Sequence, residues 1–410
     1  CKVKLAVVTS GFLPVPAAKG GAVEALDDYL IQMNEKYAAL ELEIISIYDP
    51  KAQEMAKAFQ QSHFTFVKPN PLVLPLDRVI YFLAKNVLKK ANHMSYRYIL
   101  QRLNYIGKVS RILQKNAYDK VMLENHSTLF KVIQKKKNAK KYEGRYYYHI
   151  HNEVKSTFGC KKVMLGTKRV IAVSNYINRT LSDFLGGFPK EKMTVLRNCV
   201  DTDRFSKEDN RALVPQLRRQ YGIKNDEKIL LFTGRLTQEK GIRELLLAFH
   251  MLSDPKVRLV VAGGYFFGSG MQGSFEEELK ELARKAGDRI IFTGFVPYTQ
   301  MPALYAMADI AVIPSVWNDP APLTVIESMV SGLPLITTYS GGIPEYADQE
   351  AAILLPRDAH LPERLCQAMQ KLLQDDGLRK KMSAAGRAKA QELNLDHYYH
   401  NFVEIINDRR

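Results

Sequence analysis

Short apolar runs recur along the whole chain and alternate with longer amphipathic stretches. The runs lie at 3–10, 42–48, 120–125, 145–152, 169–174, 193–198, 229–235, 258–264, 289–296, 310–315, 334–338 and 351–356. Nearly every residue within them is apolar, which is typical of strands buried on both faces of a parallel sheet. Helices of about 10 to 18 residues fit between the runs, for example at 242–252 and 275–286. The pattern therefore predicts an α/β protein built from parallel βαβ units.

The alternation is interrupted once, by a polar and charged stretch at 201–228. A chain of 410 residues is also too long for one ordinary core. We therefore predict two domains, one over 1–200 and one over 201–390. The stretch 393–408 reads as an amphipathic helix, and we assign 391–410 to the first domain.

Charge separates the two halves and suggests different partners for them. The net charge is +16, but residues 1–200 carry +18 and residues 201–410 carry −2. The excess is densest from Arg78 to Lys141, where 16 basic residues stand against Asp119 and Glu124. Such an excess suits nucleic acid or an anionic membrane surface. We find no recognisable nucleic-acid-binding module, so a non-enzymatic nucleic-acid binder remains a remote alternative.

Composition excludes several other classes. Hydrophobic residues make up 46% and charged residues 25%, as in globular proteins. The four cysteines are scattered without metal-ligand spacing, so we expect no structural metal and a reducing compartment. No apolar stretch of about 20 residues is present, and the apolar start of the chain lacks the basic flank of a signal peptide. We therefore expect a cytoplasmic protein.

The segment FTGRLTQEKG at 232–241 ends a predicted strand and opens a helix. Gly234 allows a tight turn, and Arg235 and Lys240 then lie at the end of the sheet where ligands bind in such folds. An Arg fork together with a Lys point charge suits a pyrophosphate. A solvated pair of loop cations is the alternative.

A second segment, PLTVIESM at 322–329, starts a helix after two prolines. Glu327 lies inside that helix and could accept hydrogen bonds from two ribose hydroxyls, while Asp319 lies on the preceding loop. Leu323 and Thr324 form the first turn, where backbone N–H groups attract phosphate. The alternative is a capping Asp and a solvated Glu.

The first domain offers weaker signals. Gly20 and Gly21 precede a helix, which suits phosphate but is also common in ordinary turns. The strand YYYHIHNEV ends with His149 and His151 on one face, and the strand before it ends with Glu124, Asn125 and His126. These last three are acceptor-side candidates, and a structural role is the alternative for His151.

In combination, these segments resemble the retaining glycosyltransferases of the GT-B fold, family 4. The matching segments are IAVSN (171–175), VLRNCVDTDRF (195–205), GRLTQEKG (234–241), 292–315 and 327–345. The resemblance implies two Rossmann-like domains that face each other across a cleft, with the C-terminal helix crossing back to the first domain.

The resemblance also assigns roles. Arg235 and Lys240 would neutralise the diphosphate, Glu327 would bind ribose, and Asp319 and His151 would contact the donor sugar. The backbone at Phe295 and Val296 would border the base of the donor. Gly20 and Gly21 would approach its phosphates. Asp319 stands where the family usually has Glu.

The implied activity is the transfer of a sugar from a nucleotide-sugar with retention of configuration. A UDP-sugar is the first candidate donor, and no metal or other cofactor is expected. The acceptor would be a sugar or a lipid-linked saccharide used in bacterial cell-surface polysaccharide or glycolipid synthesis. A GT-B epimerase and a sucrose- or starch-type synthase remain alternatives. The basic, apolar-rich stretch 76–116 suggests peripheral binding to the inner face of an anionic membrane. Core-facing apolar residues with a solvated basic face would explain it equally well.

Overall fold

A computed structural model describes residues 1–91, 97–264 and 273–410. The chain divides into two compact units: the first contains Cys1–Leu196 and Tyr398–Arg410, and the second contains Arg197–His397. Residues 92–96, which belong to the basic stretch 76–116, and residues 265–272 lie outside the described residues.

The first unit is a parallel sheet of seven strands in the order β3-β2-β1-β4-β5-β6-β7. Its strands are β1 (Val3–Val8), β2 (Leu40–Ile47), β3 (Ser62–Val67), β4 (Lys120–Glu124), β5 (Tyr146–Ile150), β6 (Arg169–Ala172) and β7 (Met193–Val195). Its helices are α1 (Ala22–Tyr37), α2 (Pro50–Ala56), α3 (Leu74–Phe82), α4 (Ile99–Lys115), α5 (Phe130–Gln134), α6 (Asn138–Lys141), α7 (Lys161–Leu165) and α8 (Asn175–Leu185). A π-helical turn over Leu83–Val87 continues α3.

The second unit is a parallel sheet of six strands in the order β10-β9-β8-β11-β12-β13. Its helices up to the fourth strand are α9 (Lys207–Asn210), α10 (Val214–Gln220), α11 (Ile242–Met251), α12 (Ser274–Ala286) and α13 (Met301–Met307). The strands are β8 (Lys228–Thr233), β9 (Val257–Ala262), β10 (Ile290–Gly294), β11 (Ile310–Ile313), β12 (Leu335–Thr338) and β13 (Ala352–Leu355). The later helices are α14 (Leu323–Val330), α15 (Ile343–Tyr346), α16 (Leu361–Gln374) and α17 (Asp376–Ala390).

Both sheets follow the Rossmann strand order, in which the direction of winding reverses once. The reversal lies between β1 and β4 in the first unit and between β8 and β11 in the second. Ligands of such sheets bind beyond the carboxyl ends of the strands at this point. The loops that follow β8 and β11 hold Lys240 and Asp319, and β4 ends at Glu124.

The apolar runs form the cores, as their composition predicts. Val7, Val121 and Tyr147 are fully buried in the first sheet, and Leu230, Leu259 and Val312 in the second. The α/β prediction and the predicted strands are thus confirmed. Strand β3 was not predicted, because it pairs only with β2 at the sheet edge and its middle residues are only half-buried.

The last helix, α18 (Leu395–Ile406), follows the predicted amphipathic segment. Tyr399 on this helix donates a hydrogen bond of 2.6 Å to Asn34 Oδ1 in the first unit. Just beyond the helix, Asp408 Oδ2 lies 2.7 Å from Lys120 Nζ. The chain terminus is thereby attached to the first unit. Within the described ranges, no helix combines the length and apolar character that a membrane span needs.

Candidate functional site

Close backbone packing brings the loops after β8 and β11 together in the second unit. Gly241 has a φ of 75°, and a Cβ there would stand 1.8 Å from the carbonyl oxygen of Pro314. A Cβ at Gly263 would stand 1.8 Å from the carbonyl oxygen of Gly234. Both positions therefore require glycine, because any side chain would push the two segments apart. The glycine that sequence analysis singled out, Gly234, is part of this packing.

Lys240 and Asp319 form an ion pair between these two loops. Lys240 Nζ lies 3.3 Å from Asp319 Oδ2 and 5.3 Å from the centre of the Trp317 ring. Asp319 is buried, whereas about a fifth of the Lys240 side chain is exposed. Burial raises the pKa of Asp319, and the charge of Lys240 opposes that rise. The cation can therefore reach an anion from solvent, while the carboxylate stays inside.

Arg235 adds a second positive charge near the pair. Its Nη2 lies 3.9 Å from Glu239 Oε1, and about half of the side chain is exposed. Its charge also opposes the rise in the pKa of Asp319. The charges of both predicted cations, Arg235 and Lys240, thus act on the same carboxylate.

Asp319 is fixed through its backbone as well. Its carbonyl oxygen accepts a 2.8 Å hydrogen bond from the Gly342 N–H. A Cβ at Gly341, whose φ is 51°, would stand 2.3 Å from that same oxygen. The Ser340-Gly341-Gly342 turn therefore packs directly on the Asp319 loop.

Glu327 lies on α14, about one turn after the first-turn residues Leu323 and Thr324, which are half-buried. Tyr305 lies with its hydroxyl 3.5 Å from Glu327 Oε1 and 3.1 Å from Thr233 Oγ1. Burial raises the pKa of Glu327 to about 8, although hydrogen bonds from Tyr305 and Tyr298 oppose it. Its other oxygen, Oε2, has no hydrogen-bond partner in the part of the chain that the structure describes. An unpartnered buried carboxylate oxygen is an unusual feature in a native protein.

Phe295 and Val296 follow β10 directly. Phe295 is about three-quarters exposed, and Val296 is half-buried. The amide nitrogen of Phe295 would lie 3.9 Å from a Cβ built on Gly264, so this segment borders the loop after β9. An exposed aromatic ring at a strand end offers a flat apolar surface.

In the first unit, Gly20 and Gly21 precede α1, with φ angles of 78° and 101°. A Cβ at Gly21 would stand 2.1 Å from Glu24 Oε2. The Glu24 carboxylate therefore occupies the start of this helix, where the sequence predicted a phosphate. Burial raises the pKa of Glu24.

Glu124 lies between two histidines at the ends of β4 and β5. His149 Nδ1 is 2.5 Å from Glu124 Oε1, and His151 Nε2 is 3.4 Å from Glu124 Oε2. All three side chains are buried, and one ligand-type atom of each lies within 4.8 Å of the others. Residues of these types can also hold a metal ion. No spacing in the sequence indicates such a group, because the three residues come from the ends of two different strands.

Asn125 joins the ends of the same two strands. Its φ is 64°, and its Oδ1 accepts hydrogen bonds from the N–H groups of His151 (2.9 Å) and Asn152 (3.2 Å). The side chain thereby completes the backbone bonding at the end of β5. Of the three acceptor-side candidates, Asn125 thus has a structural task and Glu124 is fully buried.

His126 lies in a different environment from Glu124. Its Nδ1 is 2.6 Å from Thr128 Oγ1, and its ring lies 4.9 Å from Phe12 and 5.8 Å from Phe158. Burial and the neighbouring charge of Arg102 lower the pKa of His126 to about 4. At neutral pH this imidazole is therefore uncharged, between two exposed aromatic rings.

Three residues with a clear place in these arrangements were missed from the sequence. Tyr305 contacts Glu327, and Asp27 and Glu24 on α1 lie close enough to Glu124 for their charges to interact. Acidic residues three apart in an apolar helix are a signal for the last two. Tyr305 carries no such signal, because buried tyrosines are common in cores.

Two family models match the chain. The model described as Glycosyl transferases group 1 matches residues 214–389, and the model described as Glycosyltransferase Family 4 matches residues 53–204. YtcC of Bacillus subtilis strain 168, which carries the name of a glycosyltransferase, is 28% identical over 399 residues, covering 95% of this chain and 88% of YtcC. Spore coat protein SA of the same bacterium is 25% identical, covering 95% of this chain and 94% of that protein.

The fold agrees with solved structures. Anabaena HepE, solved in complex with UDP, has a TM-score of 0.74 to this chain at 17% identity, and the match covers 100% of both chains. At that identity the likeness shows the fold alone, which is GT-B. The family and relative matches support the assignment of this chain to the group 1 glycosyltransferases, and glycosyltransferase activity with it.

Proposed function

We propose that this chain is a retaining, metal-independent glycosyltransferase that moves a sugar from a nucleotide-sugar, with a UDP-sugar as the first candidate, to an acceptor hydroxyl. The observation that carries the proposal is the set of Lys240, Asp319 and Glu327 at one switch point of the second unit. The complexes of HepE with UDP and with UDP-glucose support the choice of donor.

The cations and acids of the second unit bind different parts of the donor. A diphosphate oxygen shares Lys240 with Asp319, and two oxygens of the diphosphate accept a bidentate pair of hydrogen bonds from Arg235. The unpartnered Oε2 of Glu327 accepts a hydrogen bond from a ribose hydroxyl. Phe295 stacks against the base, which suits its exposed ring. The roles that the resemblance assigns to His151, Gly20 and Gly21 stay predictions.

The resemblance to the retaining GT-B glycosyltransferases implies the chemistry that we propose. The bond between the sugar's anomeric carbon and the diphosphate oxygen breaks, and the electron pair leaves with the diphosphate. The acceptor oxygen bonds to the same face of that carbon and gives its proton to the leaving phosphate oxygen. Arg235 and Lys240 stabilise the charge that develops on the diphosphate, a term that commonly dominates catalysis.

We also propose that the first unit binds an anionic membrane surface and that the acceptor is a sugar or a lipid-linked saccharide. The segment 72–88 supports this, because its large apolar side chains point outward while Asp77 and Ala84 are buried. The exposed apolar residues are Leu72, Leu74, Leu76, Val79, Phe82, Leu83, Val87 and Leu88. Exposed Arg78, Lys85, Lys89 and Lys90 lie among them and complement anionic headgroups.

The core-facing alternative for these helices is disfavoured over 72–88, since that orientation would bury the apolar positions. One relative carries the name of a spore coat protein, and on this basis we propose a product in bacterial cell-surface polysaccharide or glycolipid synthesis. A cytoplasmic enzyme at the inner face of the membrane fits this proposal.

The test is a panel of nucleoside diphosphates and nucleotide-sugars, first by thermal shift and then by release of diphosphate with and without saccharide acceptors. A bound ligand raises the unfolding midpoint by mass action. We expect UDP to give the largest shift, chelation of metals to leave turnover unchanged, and the product to keep the donor's anomeric configuration. Inversion at the anomeric carbon, or loss of turnover in a chelator, would contradict the proposal.

The same assay separates the alternatives. Conversion of a nucleotide-sugar without any acceptor would indicate an epimerase. Turnover confined to small soluble sugars would indicate a sucrose- or starch-type synthase.

A further inference from the structure

Five ionisable side chains of the first unit are buried together beside the switch point of its sheet. Glu24 and Asp27 come from α1, Glu124 ends β4, and His149 and His151 belong to the end of β5. Their exposed fractions run from 0% to 7%. Burying so many ionisable groups is unfavourable unless their protons are shared in a defined way.

The hydrogen bond to Glu124 determines which ring nitrogen of His149 carries the proton. Its Nδ1 is 2.5 Å from Glu124 Oε1, and a carboxylate oxygen can only accept. Nδ1 is therefore the protonated nitrogen. His149 Nε2 is buried without a partner in the described residues, so a second proton there would be an unpaired buried donor. A neutral imidazole avoids that loss.

The tautomer of His151 follows from charge repulsion and not from a hydrogen bond. Its Nε2 lies 3.4 Å from Glu124 Oε2, and within the described part of the chain neither atom makes a hydrogen bond, to the other or to a third group. A lone pair on Nε2 would face the lone pairs of the carboxylate, whereas a proton there faces a negative charge, so Nε2 carries the proton. Burial lowers the pKa of His151. His151 is thus neutral, with its lone pair on Nδ1.

Asp27 completes the arrangement. It is buried, its Oδ2 has no partner among the described residues, and burial together with the charges of Glu124 and Glu24 raises its pKa well above the ordinary value. That rise favours the protonated, uncharged carboxyl in Asp27. An uncharged Asp27 near Glu124 leaves Glu124 as the ionised acid of the two.

We propose that Glu124 is a positioning residue that holds the two histidines in opposite tautomers, Nδ1–H in His149 and Nε2–H in His151. His151 is then a hydrogen-bond acceptor through Nδ1 and orients a hydroxyl that donates to it. That this hydroxyl belongs to a donor sugar rests on the proposed function. A metal ion bound to Nε2 of His151 would require the opposite tautomer, so the two arrangements exclude each other.

The tautomers are measured directly by two-bond ¹H–¹⁵N correlation spectra of the full chain, labelled with ¹⁵N-histidine, at neutral pH and without substrate. His149→Gln and His151→Gln variants assign the two rings among the nine histidines. We expect the Nε2–H pattern for His151 and the Nδ1–H pattern for His149. A charged His151, or His151 in its Nδ1–H form, overturns the proposal.

Glu124→Gln tests the positioning role, with Asp27→Asn as its matched control. A glutamine side chain can accept from one imidazole but must present N–H to the other, so one ring has to change tautomer. We expect that change together with a fall of kcat of about 10- to 100-fold, as for other residues that orient a histidine, and a Kd for UDP within about twofold of the wild-type value. Asp27→Asn keeps a neutral side chain of the same shape and should preserve both tautomers.

Unchanged tautomers and unchanged turnover in Glu124→Gln would overturn the positioning role. If this variant does not fold, the wild-type spectrum alone decides. Because the spectra need no substrate, the expected tautomers in a protein that turns over no nucleotide-sugar would count against the proposed function and not against the tautomer assignment.

Discussion

The two units share one strand order, but the buried acids at their strand ends have different partners. In the second unit a buried acid, Asp319, is paired with a cation, Lys240, that solvent can reach. In the first unit the corresponding strand ends carry Glu124, which is paired with two buried imidazoles. The basic excess of the first unit lies elsewhere, and much of it is on exposed surface.

This difference indicates two kinds of site. A partly exposed Lys beside a buried carboxylate can bind an incoming phosphate and keep its contact with the carboxylate. A carboxylate enclosed by imidazoles has no exposed surface to offer a ligand, so it acts through its neighbours. We therefore expect charge removal in the second unit to affect phosphate chemistry directly, and changes in the first unit to act on orientation and on surface binding.

Removal of the two cations should produce the largest effect. Arg235→Ala and Lys240→Ala should each lower kcat by about 10²-fold or more, because each removes a preorganised charge from the transition state. Arg243→Ala is the matched control, since Arg243 pairs with Glu278 on the surface of the same unit. Steady-state kinetics and thermal unfolding check the expectation. Near-normal turnover in both cation variants would mean that the diphosphate binds elsewhere.

The sequence carried most of the information about the second unit, because its site follows from short-range order. Gly234, Lys240 and Gly241 lie within eight residues of the end of β8, and Asp319 lies eight residues before Glu327. Their placement at one switch point then follows from the strand order alone. The fold was predictable for the same reason, since runs buried on both faces are visible in any single segment.

The first unit was less predictable, because its cluster depends on long-range packing. Asp27 meets Glu124 only after α1 packs on the sheet, and the hydrogen-bonding side of each imidazole depends on atoms from another strand. Periodicity also cannot tell which face of 72–88 points outward. An apolar face on a helix normally indicates the core, and here the buried positions are Asp77 and Ala84.

The next effect in size separates Asp319 from its partner. Asp319→Asn should lower turnover by about one to two decades, since a charged acceptor for the sugar hydroxyls is worth about 1.5–3 kcal/mol. Binding of free UDP should not weaken, because UDP lacks the transferred sugar that Asp319 would contact and because Lys240 loses a competing carboxylate. Lys240→Ala should weaken UDP binding instead. Calorimetry of both variants decides, and equal losses of UDP affinity would remove the distinction.

Asp319→Glu extends the same test. It supplies the residue usual in the family but adds one methylene to the arm. We expect an altered preference among nucleotide-sugars rather than a simple loss of activity. Turnover on several donors measures it, and an unchanged ranking would argue against a sugar contact.

A smaller effect with a pH signature is expected at Glu327. Burial raises the pKa of Glu327 from 4.5 to about 8, so between these values the folded chain holds a proton that the unfolded chain has lost. The free energy of unfolding from this group therefore falls as the pH rises through that window. Glu327→Gln should remove the fall and raise the unfolding midpoint by a few degrees at pH 8.5 relative to wild type.

The same variant should bind UDP about tenfold more weakly, because the ribose loses a charged acceptor. Stability would thus rise while affinity falls. Glu350→Gln, at an exposed position of the same unit, is the control and should change neither. Unfolding scans from pH 5 to pH 9 and calorimetry at pH 8.5 check the two effects, and a stability gain at pH 5 as large as at pH 8.5 would contradict the assigned cause.

The smallest expected effect concerns the surface of the first unit. Phe82 is 57% exposed among outward-facing apolar residues, so we expect the intact protein to bind anionic vesicles at low salt and to release them at high salt. Burying roughly 40 Å² of its ring in a membrane interface is worth about 1 kcal/mol. Phe82→Ser should therefore weaken vesicle binding about fivefold at every salt concentration. Met251→Ser is the matched control, because Met251 is 46% exposed on the second unit.

Replacing Lys135, Lys136 and Lys137 by Gln should weaken binding at low salt only, since exposed charges act over the screening length. Vesicle co-sedimentation with UDP calorimetry in parallel separates surface binding from donor binding. If the wild-type protein ignores anionic vesicles at low salt, or if Met251→Ser weakens binding as much as Phe82→Ser, the first unit has no membrane surface at 72–88 and its acceptor is a soluble saccharide.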